Sequence, residues 1–464
     1  MEFCSNVDEL KNIIKGVMTI SKDGSVKVED AAVLRGRMDK LVQTAVFCED
    51  TKVRDAARWL IRMSAMDVGV VPSSIQGLYE AMGRGEVSGV SVPAINVRGL
   101  TYDVSRAIIR TAKKNRTGAV IFEIAKSEIG YTAQRPAEYA TVVMAAALKE
   151  GFTGPLFIQG DHFQFSAKNF AKDPQAETKG IKDLAKEAVD AGFFNIDIDS
   201  STLVDLSKPT VKEQQRNNFE PCAEVTKFIR DIQPKDVTIS VGGEIGEVGG
   251  KNSTVEEFRA FMDGYREVLD KKQKGLKGIS KISVQTGTTH GGVPLPDGSI
   301  AQVEIDFNVH EAISNPARKE YGLCGTVQHG ASTLPEVLFD KFPKTGTAEI
   351  HLATEFQNMI YEHPSFPRDL KERIYSWLRE NCKDEFKPNQ TDEQNIYKTR
   401  KKAFGLFKKD MWSLDTDTRN KIGIALEQKF DTLFRKLNVI NTASTVSKYV
   451  KLVRVNPHIP DCLL

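Results

Sequence analysis

The sequence predicts an α/β protein built on a (β/α)8 TIM barrel with helical N- and C-terminal extensions. Three observations predict it: eight short apolar runs rich in Val and Ile, helical spacing between them, and polar residues gathered where the runs end. The runs are SVPAINV (91–97), GAVIFEIA (118–125), PLFIQGD (155–161), FFNIDIDS (193–200), DVTISVGGEIG (236–246), KISVQTG (281–287), LCGTVQHG (323–330) and TAEIHLAT (347–354). Each is apolar on both faces, as a parallel strand covered on both sides must be. Stretches such as YDVSRAIIRTAKKN, PAEYATVVMAAALKEG and EEFRAFMDGYREVLDKK supply the helices between them. An open nucleotide-binding sheet is the competing fold, but no strand runs into a GxGxxG turn.

The spacing divides the chain into a helical N-terminal extension (1–85), a barrel (86–365) and a helical C-terminal extension (366–464). Within the last, TRKKAFGLFKKD (399–410) carries basic residues at both ends and reads as a solvated helix face. With 64 Lys+Arg against 62 Asp+Glu, the composition gives no one-signed field for nucleic acid or a membrane surface. No run approaches the ~20 apolar residues of a membrane helix. The opening MEFCSNVDELKN lacks a signal-peptide layout, so a cytoplasmic location is expected. The six cysteines are scattered, with no CxxC pair, and are expected to be reduced thiols.

The strand ends carry the chemistry. Strand three ends in Asp161-His162, strand four carries Asp197 and Asp199, and strand five ends in Glu244. Strand six runs into His290-Gly291-Gly292 and strand seven into His329-Gly330-Ala331-Ser332. Three of the chain's seven histidines thus share one geometric position, which suits a divalent metal of the zinc type with an open fourth site. His310, His351, His363 and His458 lack that support and read as structural. The glycines beside the metal positions let backbone N–H groups approach an anion, which favours a phosphorylated substrate.

These pieces, VPAINV, QGDHFQ, NIDIDSS, GGEIGEVGG, TGTTHGGVP and VQHGAS, resemble in content and order the class II, metal-dependent fructose-bisphosphate aldolase family over roughly residues 85–360. The resemblance implies that His162, His290 and His329 hold zinc or another divalent metal, with Glu244 an alternative ligand and Asp199 beside it. It implies that Asp161 exchanges a proton with a substrate hydroxyl, that Asn96 lies near the substrate, and that Gly291, Gly330 and Ser332 hold the phosphate of the ketone half. A monovalent cation would lie around the same loops, and homo-oligomerisation is expected. The implied activity is reversible cleavage of a phosphorylated ketose, fructose 1,6-bisphosphate first, through a metal-stabilised enediolate.

The sequence also departs from that family. Lys251-Asn252 stands where a carboxylate handling the ketone proton belongs, which leaves Glu256 or Glu247 for the role. On strand eight the family's Asn-x-Asp-Thr becomes His351-Leu352-Ala353-Thr354, and on strand two Ala125-Lys126 replaces a phosphate-facing serine. Lys126 can still meet a phosphate as a point charge. The alternatives are an aldolase for another sugar phosphate, such as tagatose bisphosphate, and a non-catalytic aldolase-like subunit.

Overall fold

The computed structural model describes residues 1–246, 250–287, 295 and 304–464. Eight strands appear in the predicted order: β1 (Val92–Asn96), β2 (Ile121–Ala125), β3 (Gly154–Gln164), β4 (Asn195–Asp199), β5 (Ser240–Glu244), β6 (Lys281–Val284), β7 (Thr326–Gln328) and β8 (Thr347–Leu352). Each pairs in parallel with the next, and β8 returns to β1 with Glu349 opposite Val92, so the ring is closed. It is a (β/α)8 barrel.

Helices Thr101–Lys114, Pro136–Lys149, Pro174–Ala191, Arg216–Ile232, Val255–Lys272 and Phe307–Lys319 follow β1 to β6 and cover the outside. Local chemistry starts them: Thr254 and Glu257 form a capping box, and Pro136 occupies a first-turn position where its missing N–H is not needed.

The N-terminal extension holds more than the expected helices. A hairpin (Met18–Ile20 with Val26–Val28) precedes helices Ala31–Phe47 and Thr51–Asp67, and Val70–Pro72 adds a parallel strand outside the ring against β3. Three-residue strands are too short to display an alternating period, which is why spacing alone misses them.

The C-terminal helices run back along the barrel. Helix Thr416–Lys436 lies on Thr101–Lys114, with Arg110 donating to Glu427 at 2.7 Å and Asn115 to Asp431 at 2.7 Å. The chain then passes the strand starts, where Ser91 N–H donates to the Leu437 carbonyl. Its tail reaches the N-terminal extension, where Trp59 Nε1 donates to the Pro457 carbonyl at 3.2 Å. Among the described residues no helix is long and apolar enough to cross a membrane. All six cysteines are free thiols.

Candidate metal and substrate site

The site is aimed by a defect in β3. The pairing of β3 with β4 slips between Gly160 and Phe163, and His162 sits there with φ +41°, in the left-handed region. A non-glycine residue in that conformation stores roughly 1–2 kcal/mol of strain, which the surrounding packing must offset. The bulge brings Asp161 and His162, neighbours in sequence, into one cavity.

Asp161 is gripped through both oxygens. Asn96 Nδ2 donates to Oδ2 at 2.8 Å, and His351 Nδ1 lies 3.1 Å from Oδ1. Burial pushes this carboxyl up, but His162 and His351 outweigh it and hold it well below the usual carboxylate range. Asp161 is therefore anionic, buried and fixed.

His162 and His329 face each other with ring centroids 4.1 Å apart. His162 Nδ1 lies 2.9 Å from Asp199 Oδ2 and 3.3 Å from Glu244 Oε2; its Nε2 lies 3.9 Å from Asp161. His329 spans the same groups, 3.7 Å from Glu244 and 3.8 Å from Asp161. Asp199 also accepts from Gln164 at 2.7 Å and from the Ser201 hydroxyl at 2.7 Å, so it is held in place to orient His162. Burial and the neighbouring imidazoles of His162 and His351 lower the pKa of His329 and keep it neutral. For His162, burial is outweighed by Asp161, Glu244 and Asp199, and its pKa rises well above the ordinary value. Three carboxylates around two imidazoles leave a deficit of positive charge. The set Asp161, His162 and His329 offers ligand atoms within 4.8 Å of one another, as do His162, Asp199 and Glu244. Imidazole and carboxylate donors at this spacing fit a zinc-type ion.

Beneath lies a buried ionic layer. Lys281 Nζ reaches Asp197 at 2.9 Å and Gln159 at 2.9 Å and pairs closely with Glu349. Gln159 donates onward to Glu123 at 2.8 Å, and Tyr79 donates to Glu349. Gly242 sits between the partners: a methyl there would stand 2.9 Å from Lys281 Cε and overlap Asp197. His351 joins this layer to the mouth, its Nε2 being 2.6 Å from Glu349.

A cavity of about 540 Å³ opens above, lined by Asn96, Lys126, Asp161, His162, His329, Gly330 and Ser332 among others. Those seven are sequence-predicted positions, and the fold brings them together. Glu256 is not brought in; it stands exposed in the first turn of its helix, beside the Thr254–Glu257 cap, where its charge meets the helix's positive end. His290, Gly291 and Glu247 lie outside the described residues.

Two expectations need correction. His351, read as structural, is buried in the site and contacts Asp161, because β8 turns Glu349 and His351 to the same side. The 399–410 patch is not a solvated face: Arg400 and Phe404 are buried, Lys401 lines the cavity, and Lys408 pairs with Glu138 at 2.6 Å. Arg98 and Glu128, paired at 2.6 Å on the cavity wall, were also missed.

Against known proteins, a family model described as class-II fructose-bisphosphate aldolase matches residues 78–410. Among solved structures, a protein described as a probable tagatose 6 phosphate kinase from Sinorhizobium meliloti 1021 is 14% identical; 77% of this chain and 99% of that chain are covered, with a TM-score of 0.53. A fructose-bisphosphate aldolase from Campylobacter jejuni is 18% identical, with 80% and 97% covered and a TM-score of 0.49. At 14% identity the likeness to the former is one of fold alone.

Proposed function

The chain belongs to the class II fructose-bisphosphate aldolase family, and from that premise we propose that it cleaves and forms a phosphorylated ketose, with fructose 1,6-bisphosphate the first substrate to test. The observation that carries this reading is Asp161, an anionic carboxylate fixed from both sides at the edge of the imidazole pair. In cleavage Asp161 Oδ takes the proton of the substrate hydroxyl as the carbon–carbon bond breaks, and in condensation it returns it. Asn96 and His351 keep that oxygen aimed. His162 and His329, with His290, would hold the metal; Glu244 offers an alternative ligand, and Asp199 fixes the tautomer of His162. When bound, a zinc-type cation supplies Lewis-acid stabilisation of the negative charge on the ketone-half oxygens.

Gly330, with φ +68°, and the Ser332 hydroxyl are suited to one phosphate, and Lys126 adds a positive charge at the rim. Lys281 does not offer a Schiff-base route. Lys281 is buried, and although burial works against its charge, Asp197 and Glu349 raise its pKa and keep it an ammonium, which is not a nucleophile.

A second reading, an aldolase for another sugar phosphate, is favoured by the cavity wall itself. It carries His351 and Ala353 where the family resemblance calls for asparagine and aspartate.

The test is cleavage of fructose 1,6-bisphosphate by the purified protein with zinc, after EDTA, and as Asp161→Asn. Turnover that needs metal and falls about 10³-fold or more in the variant supports the proposal. Zinc bound by the protein with no cleavage of fructose or tagatose bisphosphates or of ketose monophosphates would overturn it.

A further inference from the structure

We propose that Lys401, carried into the cavity by the C-terminal helices, forms with Arg98 a seat for a phosphate group of the substrate. The inference deepens the aldolase reading and rests on it for the identity of that substrate.

Arg98, Lys126, Ser127 and Lys401 line one stretch of the cavity wall. The negative charge available there is already committed. Glu128 takes Arg98 Nε on one oxygen at 2.6 Å, and Asn96 Nδ2 and the Ala125 N–H at 2.9 Å each on the other. Lys126 rests on the Gln164 carbonyl at 2.7 Å and on Glu177 at 3.5 Å. Among the described residues Lys401 has no acceptor at hydrogen-bond or ion-pair distance; its ammonium lies 5.7 Å from the centroid of the Tyr131 ring. Burial and then Arg98 lower its pKa, and the more distant charges of Glu128 and Glu385 do not offset them, the cost of one cation buried beside another. An anion in the cavity would relieve that cost, and a phosphate oxygen can accept from both a guanidinium and an ammonium.

The backbone denies Lys401 an easier place. Arg400 is turned the other way, donating to Asn358 at 2.6 Å and Glu362 at 2.7 Å, and Lys402 pairs with Glu385. The Phe404 ring lies on Gly99, next to Arg98, where any side chain would overlap it. A methyl at Gly405 would stand 2.6 Å from the Tyr131 carbonyl, so this turn meets the end of the β2 connection backbone to backbone. Lys408 then ties the segment to the Ala133 carbonyl at 2.7 Å. These contacts fix the segment on the barrel with Lys401 in the cavity wall.

The test separates this inference from the aldolase reading. Inorganic phosphate binding is measured by calorimetry on the zinc-loaded full chain as wild type, Lys401→Ala and Lys401→Arg. Binding weakened tenfold or more by alanine and recovered by arginine, at unchanged melting temperature, supports the seat even if no sugar phosphate is cleaved. Equal phosphate binding in wild type and alanine variant overturns it. Lys401→Met replaces alanine if the latter fails to fold. With turnover in hand, fructose 1,6-bisphosphate and fructose 1-phosphate are compared, and KM rather than kcat should rise. A KM rise confined to the bisphosphate places the seat at the aldehyde-half phosphate; a rise for both places it at the ketone-half phosphate. A fall in kcat alone overturns the inference.

Discussion

Replacing Lys281 with methionine would remove the ammonium that balances the ionic layer under the site. Its side chain is 1% exposed, and Glu349 beside it is 0% exposed. At the 2.9 Å separation from Asp197, a pair in an effective dielectric of about 20 is worth roughly 5–6 kcal/mol before desolvation. Breaking a buried pair from one side costs about 3–5 kcal/mol net, because the partner remains buried and charged. The expected loss at pH 7.5 is therefore about 3–5 kcal/mol, read from urea unfolding followed by tryptophan fluorescence. The pH dependence gives a sharper check. Without Lys281, Asp197 and Glu349 would shed charge by taking protons: the folded pKa of Asp197, which burial already holds at about 6, rises further, and that of Glu349 rises above its unfolded value. Groups shifted that way add stability below the unfolded pKa and lose it as pH rises through the folded one. The gap between wild type and variant should then narrow from pH 7.5 to pH 5. A loss under about 1 kcal/mol at pH 7.5, or a gap of constant size, would refute the reasoning.

His351→Asn should lower kcat by about 10- to 100-fold and leave KM within about twofold, since His351 acts by aiming Asp161; a KM effect alone in steady-state kinetics counts against it. His310, buried between Thr326 and Gln328, is held neutral by burial with its pKa lowered to about 4 from 6.5. Its contribution to stability is complete above pH 6.5 and fades as pH falls towards 4, by about 2–3 kcal/mol between pH 7.5 and 4.5. His310→Gln should flatten the unfolding free energy by that amount over the same range, and an unchanged slope would show that burial of His310 is not its cause.

The strands were legible because parallel barrel strands are apolar on both faces, and that pattern survives in eight separate runs. The mouth was legible for a related reason: a histidine or carboxylate at the end of such a run has few structural explanations. The ionic layer escaped notice although its signal was present. Glu123, Gln159, Asp197, Lys281 and Glu349 are single polar residues inside apolar runs, and only the closed ring brings them within bonding distance of one another. His351 was passed over because it stands within strand eight and not at a strand end, where the sequence places His162, His290 and His329, although Glu349 and His351 share a face at a spacing of two. Lys401 lies nearly fifty residues beyond the last barrel strand, and no local pattern marks a lysine that tertiary packing will deliver. Glu256 stands outside the cavity, and the positive end of its helix explains an acidic residue in the first turn as well as catalysis does.

The bulge at His162, the ionic layer and the close approach at Gly242 all belong to a barrel that is closed by residue 352, yet the wall bearing Lys401 and the tail bonded at Pro457 come later in the chain. Translation runs at about 5–20 residues per second, so a nascent barrel waits on the order of 2–10 s for the residues that lead to Lys401. During that interval the seat of Phe404 on Gly99 is bare, an apolar hollow beside Arg98. A ribosome stalled near residue 390 would thus present a complete ring of strands with one side of its cavity open. The chain acquires this wall of its pocket only after every strand of the ring has been made.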